Sequence, residues 1–555
     1  MSNDHPAFFG DSEEEAVAGS IPADLIPYLE AADEPDELAL TDVTDHGYDA
    51  EETELQTALR NLVESSLLLG PDPSILAELE GDIDEDFADD AEAARAEHEE
   101  ALAKAVDSVE LDAAVAKIYE SIVERAPEHD IEPSLDRIRM LLDILGDPQN
   151  TFPTVHITGT NGKTSTARMI DAVLTAFGVR VGRFTSPHLI DVRERMSVEG
   201  TPISRETFIA AWNDIAPYVE MVDTKSLADG GVRLSFFEVF TALALVAFAD
   251  HPVDAGVIEV GMGGTWDATN LVEAGVSVIM PIDLDHTKWL GSTIREIAEE
   301  KAGIIKPGQI VVIAEQPEEA LEVLLDRARE VDAIVRLEGR DFEVIDRQMG
   351  VGGQLVTVRT PSATYTDVFV PLFGEHQAHN AAAALVSVEA FMGGRALDAK
   401  IVENGMMTAT SPGRLQVVRT SPTILVDAAH NPAGARVLAD ALDDSFAFAH
   451  VVGVYSAMGD KDIESVLAEM EPHLDSIVIT EMPGERAANI EQLREIAIDV
   501  FGEDRVEVRD NLGEAVDRAA ALAEATTDPA DKCGVVVFGS VVLAGHMLDL
   551  AGIRP

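Results

Sequence analysis

The run Ile157-Thr158-Gly159-Thr160-Asn161-Gly162-Lys163-Thr164-Ser165-Thr166 sets two turn glycines, a lysine and several hydroxyls in the order a phosphate cradle needs. Before it, Thr154-Val155-His156-Ile157 reads as a short buried strand; after it, residues 167–174 carry apolar side chains at helical spacing. In a strand–turn–helix unit the backbone N–H groups of the turn point at an anion, and the helix dipole favours negative charge there. Lys163 is placed to reach the outer phosphates, and the Thr164 hydroxyl to face a magnesium ion. The run departs from the general phosphate-loop pattern. Ile157 stands where a glycine is expected, five residues before Gly162, and Gly159 supplies the turn instead. The predicted ligand is ATP, held by Gly159, Thr160, Asn161, Gly162, Lys163, Thr164 and Ser165.

Other polar residues close apolar strands. Glu259 stands inside the otherwise apolar run Val257-Ile258-Glu259-Val260, which three glycines among the next four residues follow. An unpaired buried carboxylate is expensive, so such a Glu is expected to meet a cation, and glycines let backbone approach a ligand closely. His286 follows Asp285 at the end of the strand read over residues 276–282, and Ser186 follows the apolar stretch 179–184. Together Thr164, Ser186, Glu259 and His286 offer oxygen and imidazole ligands suited to magnesium nucleotide. Lys301, near the end of a helix, reads by itself as an ordinary ion-pairing lysine. Farther along, Arg414 offers a planar fork for phosphate oxygens, and Asp427 and His430 sit in Val426-Asp427-Ala428-Ala429-His430-Asn431-Pro432, a polar cluster closing a strand.

The elements that must position these residues alternate. Strands are read at 154–158, 255–260, 276–280 and 310–314, with helical patterns at 111–122, 134–146 (opened by Ser134 and closed by Gly146) and 167–177. This alternation predicts a mostly parallel sheet covered on both faces. A boundary is placed after Leu397, across residues 404–412. Beyond it strands recur at 423–427, 450–455, 476–480, 505–509 and 534–539. The fold class is therefore α/β: a P-loop-type ATPase domain over 106–403, then a smaller Rossmann-like α/β domain over 404–555. Residues 1–105 are an acidic extension expected to be disordered. Its first 100 residues hold 31 Asp and Glu against two basic residues, Arg60 and Arg95.

Composition narrows the classes. A net charge of −64 argues against a nucleic-acid partner, which needs a basic footprint. No apolar run is long enough to span a membrane, and no secretory signal pattern opens the chain. Cys533 is the only cysteine, which leaves no disulfide framework and no thiolate cluster within the chain. A cytoplasmic protein is expected.

Taken as a set, residues 159–164, 185–189, 259–270, 285–291, 300–304, 374–380, 411–414 and 427–432 resemble the folylpolyglutamate synthase/dihydrofolate synthase branch of the Mur-type ligases, over roughly 110–555. Ser235-Phe236-Phe237-Glu238 and Asp267-Ala268-Thr269-Asn270 tilt the likeness to the folate branch. The resemblance implies an ATP-dependent ligase that phosphorylates a carboxylate of dihydropteroate or a reduced folate and joins L-glutamate to it, acting as a monomer. It further implies two Mg2+ ions, a carbamylated Lys301 as a metal ligand, Asn380 near the nucleotide base, and Arg414, Asp427 and His430 closing on ATP and glutamate. Lys163, Lys301 and His430 are then the catalytic residues, and Phe236, Phe237, Asp267 and Ala268 contact folate. Thr265 stands where relatives often carry arginine, which bears on the folate pocket. Two other classes are a Mur-type cell-wall amino-acid ligase and a non-catalytic ATP-binding regulatory protein.

Overall fold

The computed structural model describes residues 108–125, 133–484, 486–526 and 532–554; the disorder expected for residues 1–105 lies outside the described residues. The first sheet has eight strands: β1 (Thr154–Thr158), β2 (Val181–Phe184), β3 (Met196–Val198), β4 (Thr201–Pro202), β5 (Ala255–Glu259), β6 (Val276–Ile279), β7 (Ile310–Ile313) and β8 (Ile334–Leu337). Their order is β4-β3-β2-β5-β1-β6-β7-β8. All pairings from β2 to β8 are parallel, and β3 and β4 add an antiparallel edge. Every residue of β1, β5 and β6 is buried, as continuous apolar runs require in a sheet covered on both faces. Each Val or Ile so buried contributes about 1.5–3 kcal/mol relative to exposure.

β1 lies between β5 and β6. The chain leaves β1 toward β2 on one side and later returns to β6 on the other. The loops after β1, β5 and β6 therefore open together at the carboxyl edge, where open parallel sheets bind ligands. The helix Lys163–Ala176 begins directly after the turn and buries Ala167, Ile170, Val173 and Leu174. It packs against the helices Glu375–Phe391 and Ala399–Met407. Gly405 permits the second contact, since a Cβ there would lie 2.8 Å from the Val173 Cα.

That packing shifts part of the sequence reading. Residues 404–407 are helical and packed, so the chain crosses to the next sheet only after Met407. Ser134 stands one place before the helix cap: it accepts from the Asp136 N–H at 3.1 Å, and the cap residue of Asp136–Ile144 is Leu135. The sequence reading also gives no strand over 343–370, where β9 (Glu343–Gly350), β10 (Gly353–Arg359) and β11 (Thr364–Val370) form an antiparallel meander. β9 is largely exposed, so its apolar–polar alternation is weak.

The second parallel sheet contains β12 (Gln416–Thr420), β13 (Thr423–Val426), β14 (His450–Tyr455), β15 (Ser476–Thr480), β16 (Val506–Arg509) and β17 (Cys533–Phe538). Its order is β12-β13-β17-β14-β15-β16, and only β12 runs antiparallel to its neighbour. Cys533 is buried in β17. The mixed α/β class with parallel-rich sheets is borne out. No described helix is long and apolar enough to cross a membrane.

Candidate active site

The carboxyl ends of β1, β5 and β6 and those of β13, β14 and β17 line one cavity of about 960 Å3. At its floor is the turn after β1. Gly159 has φ +148°, and a Cβ there would lie 2.6 Å from the Met280 Cβ; Gly162 has φ +84°, and its Cβ would lie 2.7 Å from Asn380 Oδ1. Both positions require glycine. Thr160 anchors the turn to the loop after β6: its hydroxyl donates to the Asp283 carbonyl and accepts from the Asp283 N–H, each at 3.0 Å.

Two lysines converge on this turn. Lys163 Nζ donates to the carbonyls of Gly159 at 3.0 Å and Thr160 at 3.1 Å. Lys301 Nζ donates to the same Gly159 carbonyl at 2.9 Å and is 4% exposed. Burial lowers the pKa of Lys163, with Glu259 and Asp285 opposing. Burial, then the Lys163 charge, brings Lys301 down to about 7. Two amines sharing one carbonyl in a buried site leave positive charge seeking an anion. Lys301 makes no carboxylate ion pair among the described residues, which replaces the ion-pairing reading of this lysine.

Glu259, 1% exposed, accepts from the Thr164 hydroxyl on both oxygens at 3.0 Å. Burial raises its pKa, while Lys163, Thr164 and the Ser186 backbone N–H pull it down. Ser186 lines the same cavity. Ser165 bonds Ser411 at 2.9 Å, tying the helix start to the segment entering the second sheet. Asn380 donates to Gln377 at 3.0 Å and lines the cavity.

Asp285 is a hub that the sequence reading passed over. It accepts from Lys461 Nζ at 3.0 Å and Asn431 Nδ2 at 3.1 Å, and lies 3.7 Å from His430 Nε2 and 3.8 Å from His286 Nε2. Burial alone would raise its pKa; His430, His286 and Lys461 outweigh that and hold it well below the carboxylate range. Burial first brings His286 down to about 4, so this imidazole is neutral near pH 7. Asp285 was visible in sequence only as a neighbour of His286. Lys461, in Gly459-Asp460-Lys461-Asp462, carries no signal beyond a charged turn.

On the second sheet, both oxygens of Asp427 are committed: Leu415 N–H and Ala429 N–H donate to them at 2.7 Å each. Asp427 thus holds the loops that carry Arg414 and His430. His430 Nδ1 lies 2.9 Å from the Ala428 carbonyl. Arg414 lines the cavity, and among the described residues its guanidinium donates to its own neighbour, the Gly413 carbonyl, at 3.2 Å.

The cavity continues to an aromatic end lined by Phe237, Trp266, Ala268 and Trp289. Asp267 lies there with its oxygens on the Met262 N–H at 2.8 Å and the Thr269 N–H at 3.0 Å; burial raises its pKa to about 6. Thr269 in turn meets the buried His156 Nε2 at 2.8 Å. Phe236 is a correction. It is 4% exposed, packs on Phe240 with tilted rings 4.6 Å apart and does not line the cavity. Ser235 and Glu238 form a capping box that starts the helix Phe236–Asp250, and successive helical residues point about 100° apart, so only Phe237 faces the ligand space. Thr265 also turns away, its hydroxyl donating to the Glu300 carbonyl at 3.2 Å.

No three His, Cys, Asp or Glu side chains gather as a metal cluster among the described residues. The Thr164–Glu259 pair nevertheless suits a hard cation: one buried carboxylate and one hydroxyl at the phosphate turn, with phosphate and water to complete the shell.

Comparison with known proteins agrees with this geometry. The Mur ligase middle domain family matches residues 223–388 and the Mur ligase glutamate ligase domain matches residues 413–541. The chain is 47% identical over 462 residues to the dihydrofolate synthase/folylpolyglutamate synthase of Mycobacterium tuberculosis, covering 80% of this chain and 95% of that one. It is 36% identical over 349 residues to the Bacillus subtilis dihydrofolate synthase/folylpolyglutamate synthase, covering 61% and 79%. Among solved structures, M. tuberculosis folylpolyglutamate synthase complexed with ADP and AMPPCP aligns with TM-score 0.77 at 46% identity, covering 80% of this chain and all of that one (100%). E. coli FolC in complex with DHPP and ADP aligns at 0.68 and 29%, covering 79% and 97%.

Proposed function

The chain belongs to the dihydrofolate synthase/folylpolyglutamate synthase family of Mur-type ligases, and on that premise we propose how its cavity does the chemistry. The protein is an ATP-dependent ligase that adds glutamate in folate metabolism. The observation that carries the reading of the site is the shared Gly159 carbonyl under two buried lysines, beside the buried Thr164–Glu259 pair. That is a site built to receive phosphoryl charge.

In this reading the triphosphate lies along residues 159–165, and Lys163 exchanges its two carbonyl partners for phosphate oxygens. The acceptor, dihydropteroate or a reduced folate, lies toward Phe237, Trp266 and Ala268 with its carboxylate at the γ-phosphate. A carboxylate oxygen attacks the γ-phosphorus and ADP leaves, giving an acyl phosphate. The amine of L-glutamate attacks the acyl carbon; the tetrahedral intermediate collapses as phosphate leaves, and the nitrogen loses a proton. Lys163 and Arg414 balance charge on the transferring group. Asp285, through Lys461, Asn431 and His430, fixes the second sheet's loops over the first. Asn380 borders the base, and Asp427 acts by holding Arg414 and His430.

Thr164, Ser186, Glu259, His286 and Lys301 are the residues that would hold two Mg2+ ions, with Lys301 carbamylated. Bound Mg2+ neutralises phosphate charge and aligns the γ-phosphate. The pKa of about 7 at Lys301 supports the carbamate, because only the neutral amine takes up carbon dioxide. We assign an ATP-binding domain to the residues up to Met407 and a glutamate-ligase domain to those beyond it, in a monomeric, cytoplasmic enzyme. The whole cavity comes from one chain, and a single phosphate turn serves both acceptors.

The test is acceptor-dependent ATP hydrolysis, with dihydropteroate plus glutamate and with tetrahydrofolate plus glutamate. ADP release with either acceptor and glutamate is expected. Release that ignores both acceptors would point instead to a regulatory ATPase.

A further inference from the structure

Arg168 lies one turn beyond Thr164 on the helix Lys163–Ala176, so the two share a helix face. Its guanidinium makes no hydrogen bond or ion pair with any described residue. The carboxylates near it are already committed: the backbone N–H groups of Leu189, Ile190 and Asp191 donate to Glu194 at 2.9, 2.9 and 2.6 Å, and Arg183 donates to Asp171 at 2.6 Å. Burial first, then the Arg183 charge, bring the Arg168 pKa to about 9. Arg168 borders a small second pocket of about 20 Å3 behind the phosphate turn, together with Thr164, Thr185, Ser411, Arg414 and the amide-bound Glu194. Thr164, Pro187, Arg414 and Val541 also line the main cavity, so the two spaces adjoin.

Resting on the ligase reading above, we propose that this pocket receives a carboxylate of the incoming L-glutamate, with Arg168 as the residue that selects for it. Three observations lead there. An arginine fork in no ion pair with a described carboxylate favours a planar oxyanion. The pocket holds about one water-sized group, which suits the tip of a carboxylate and is small for a whole phosphate. Lys163 and Lys301 are drawn to the phosphate turn and Lys461 is held by Asp285, which leaves Arg168 and Arg414 as the cations bordering this pocket. Glutamate brings two carboxylates to a site that must also hold its amine beside the acyl phosphate. A cation one helical turn from Thr164 anchors one carboxylate and leaves the amine free to attack.

The experiment is steady-state kinetics of the full-length enzyme with ATP, tetrahydrofolate and L-glutamate, comparing wild type with Arg168→Gln and Arg168→Met. The expected result is a rise of about tenfold or more in the KM for glutamate, the scale of a lost charged hydrogen bond, with the KM values for ATP and folate within about twofold. Arg168→Lys should recover part of the loss, since it restores charge without the fork. A glutamate KM unchanged in both neutral variants would overturn the proposal. So would weakened product inhibition by inorganic phosphate with glutamate unaffected, which would assign the pocket to the leaving phosphate. Failure of both neutral variants to fold would also overturn it, by showing that the guanidinium serves the fold. If wild type itself joined no glutamate, the ligase reading would fall; an active wild type with silent variants removes only the role of Arg168.

Discussion

The loops at the carboxyl ends of the two parallel sheets meet at one cavity and treat their polar side chains in opposite ways. At the ends of β1 and β5 charge is left undercompensated: Lys163 and Lys301, the latter from the helix Ile294–Ala302, share one carbonyl, and Glu259 is buried with a hydroxyl and an amide for partners. After β13 charge is spent on the backbone. Asp427 accepts two amides, and Asn431 caps its helix by accepting from the Gly434 N–H at 2.7 Å. Unsatisfied charge in a closed site is costly unless a ligand completes it, whereas satisfied charge rigidifies a loop. The first sheet therefore carries the reacting groups, and the second sets their geometry.

The largest expected effect is at Lys163. Lys163→Ala should lower turnover by about a thousandfold or more, the scale of a lost transition-state clamp, with circular dichroism unchanged. Turnover within about threefold of wild type would break the contrast at its strongest point. Glu259→Gln comes next. It should depress the dihydropteroate and tetrahydrofolate activities together by about a hundredfold, as loss of a hard ligand to Mg2+ would, and raised Mg2+ should recover part of both. Survival of one activity alone would mean that the two acceptors use different centres.

How far the sequence foretold this contrast depends on whether a residue's role is local. The strand–glycine–helix unit around Lys163 and the carboxylate closing β5 are local signals, because turn chemistry and burial in an apolar run are written in neighbouring residues. The second parallel sheet was legible for the same reason, in β14 and β15 to the residue. What escaped depends on contacts far apart in the chain. Asp285 becomes a hub only because residues 430, 431 and 461 fold onto it. Phe236 and Phe237 look alike in sequence, and only the helix phase separates core from cavity. The meander β9–β11 was missed because its outer strand is too exposed for a clear hydrophobic alternation.

A third prediction sharpens the contrast within the first sheet. The folded-state pKa of Lys301 lies below that of a free lysine, so its neutral amine gains as pH rises through about 7. At fixed bicarbonate, carbamate occupancy and activity should rise together across that range. Lys301→Ala should lose about a hundredfold in turnover, as loss of a metal ligand would, and short carboxylic acids should restore part of it. Isotope-labelled bicarbonate should give wild type a carbamate carbon resonance that Lys301→Ala lacks. An activity profile flat through pH 7, with no such resonance, would leave Lys301 as a plain cation at the turn.

The smallest effect on chemistry, and the most direct test of the contrast, is expected at Asp427. Asp427→Asn replaces one accepting oxygen by an NH2 group that faces a backbone N–H, at either Leu415 or Ala429. One buried amide is then left without an acceptor, which costs about 1–3 kcal/mol of stability. Because both oxygens serve the backbone, the loss should appear first as a lower melting temperature. Turnover should fall by about tenfold, the scale of a modest misplacement rather than a lost reacting group, as Arg414 and His430 drift from their loop positions. A variant that melts like wild type yet loses as much turnover as Glu259→Gln would place Asp427 among the groups that touch substrate, and the division of labour between the two sheets would no longer hold.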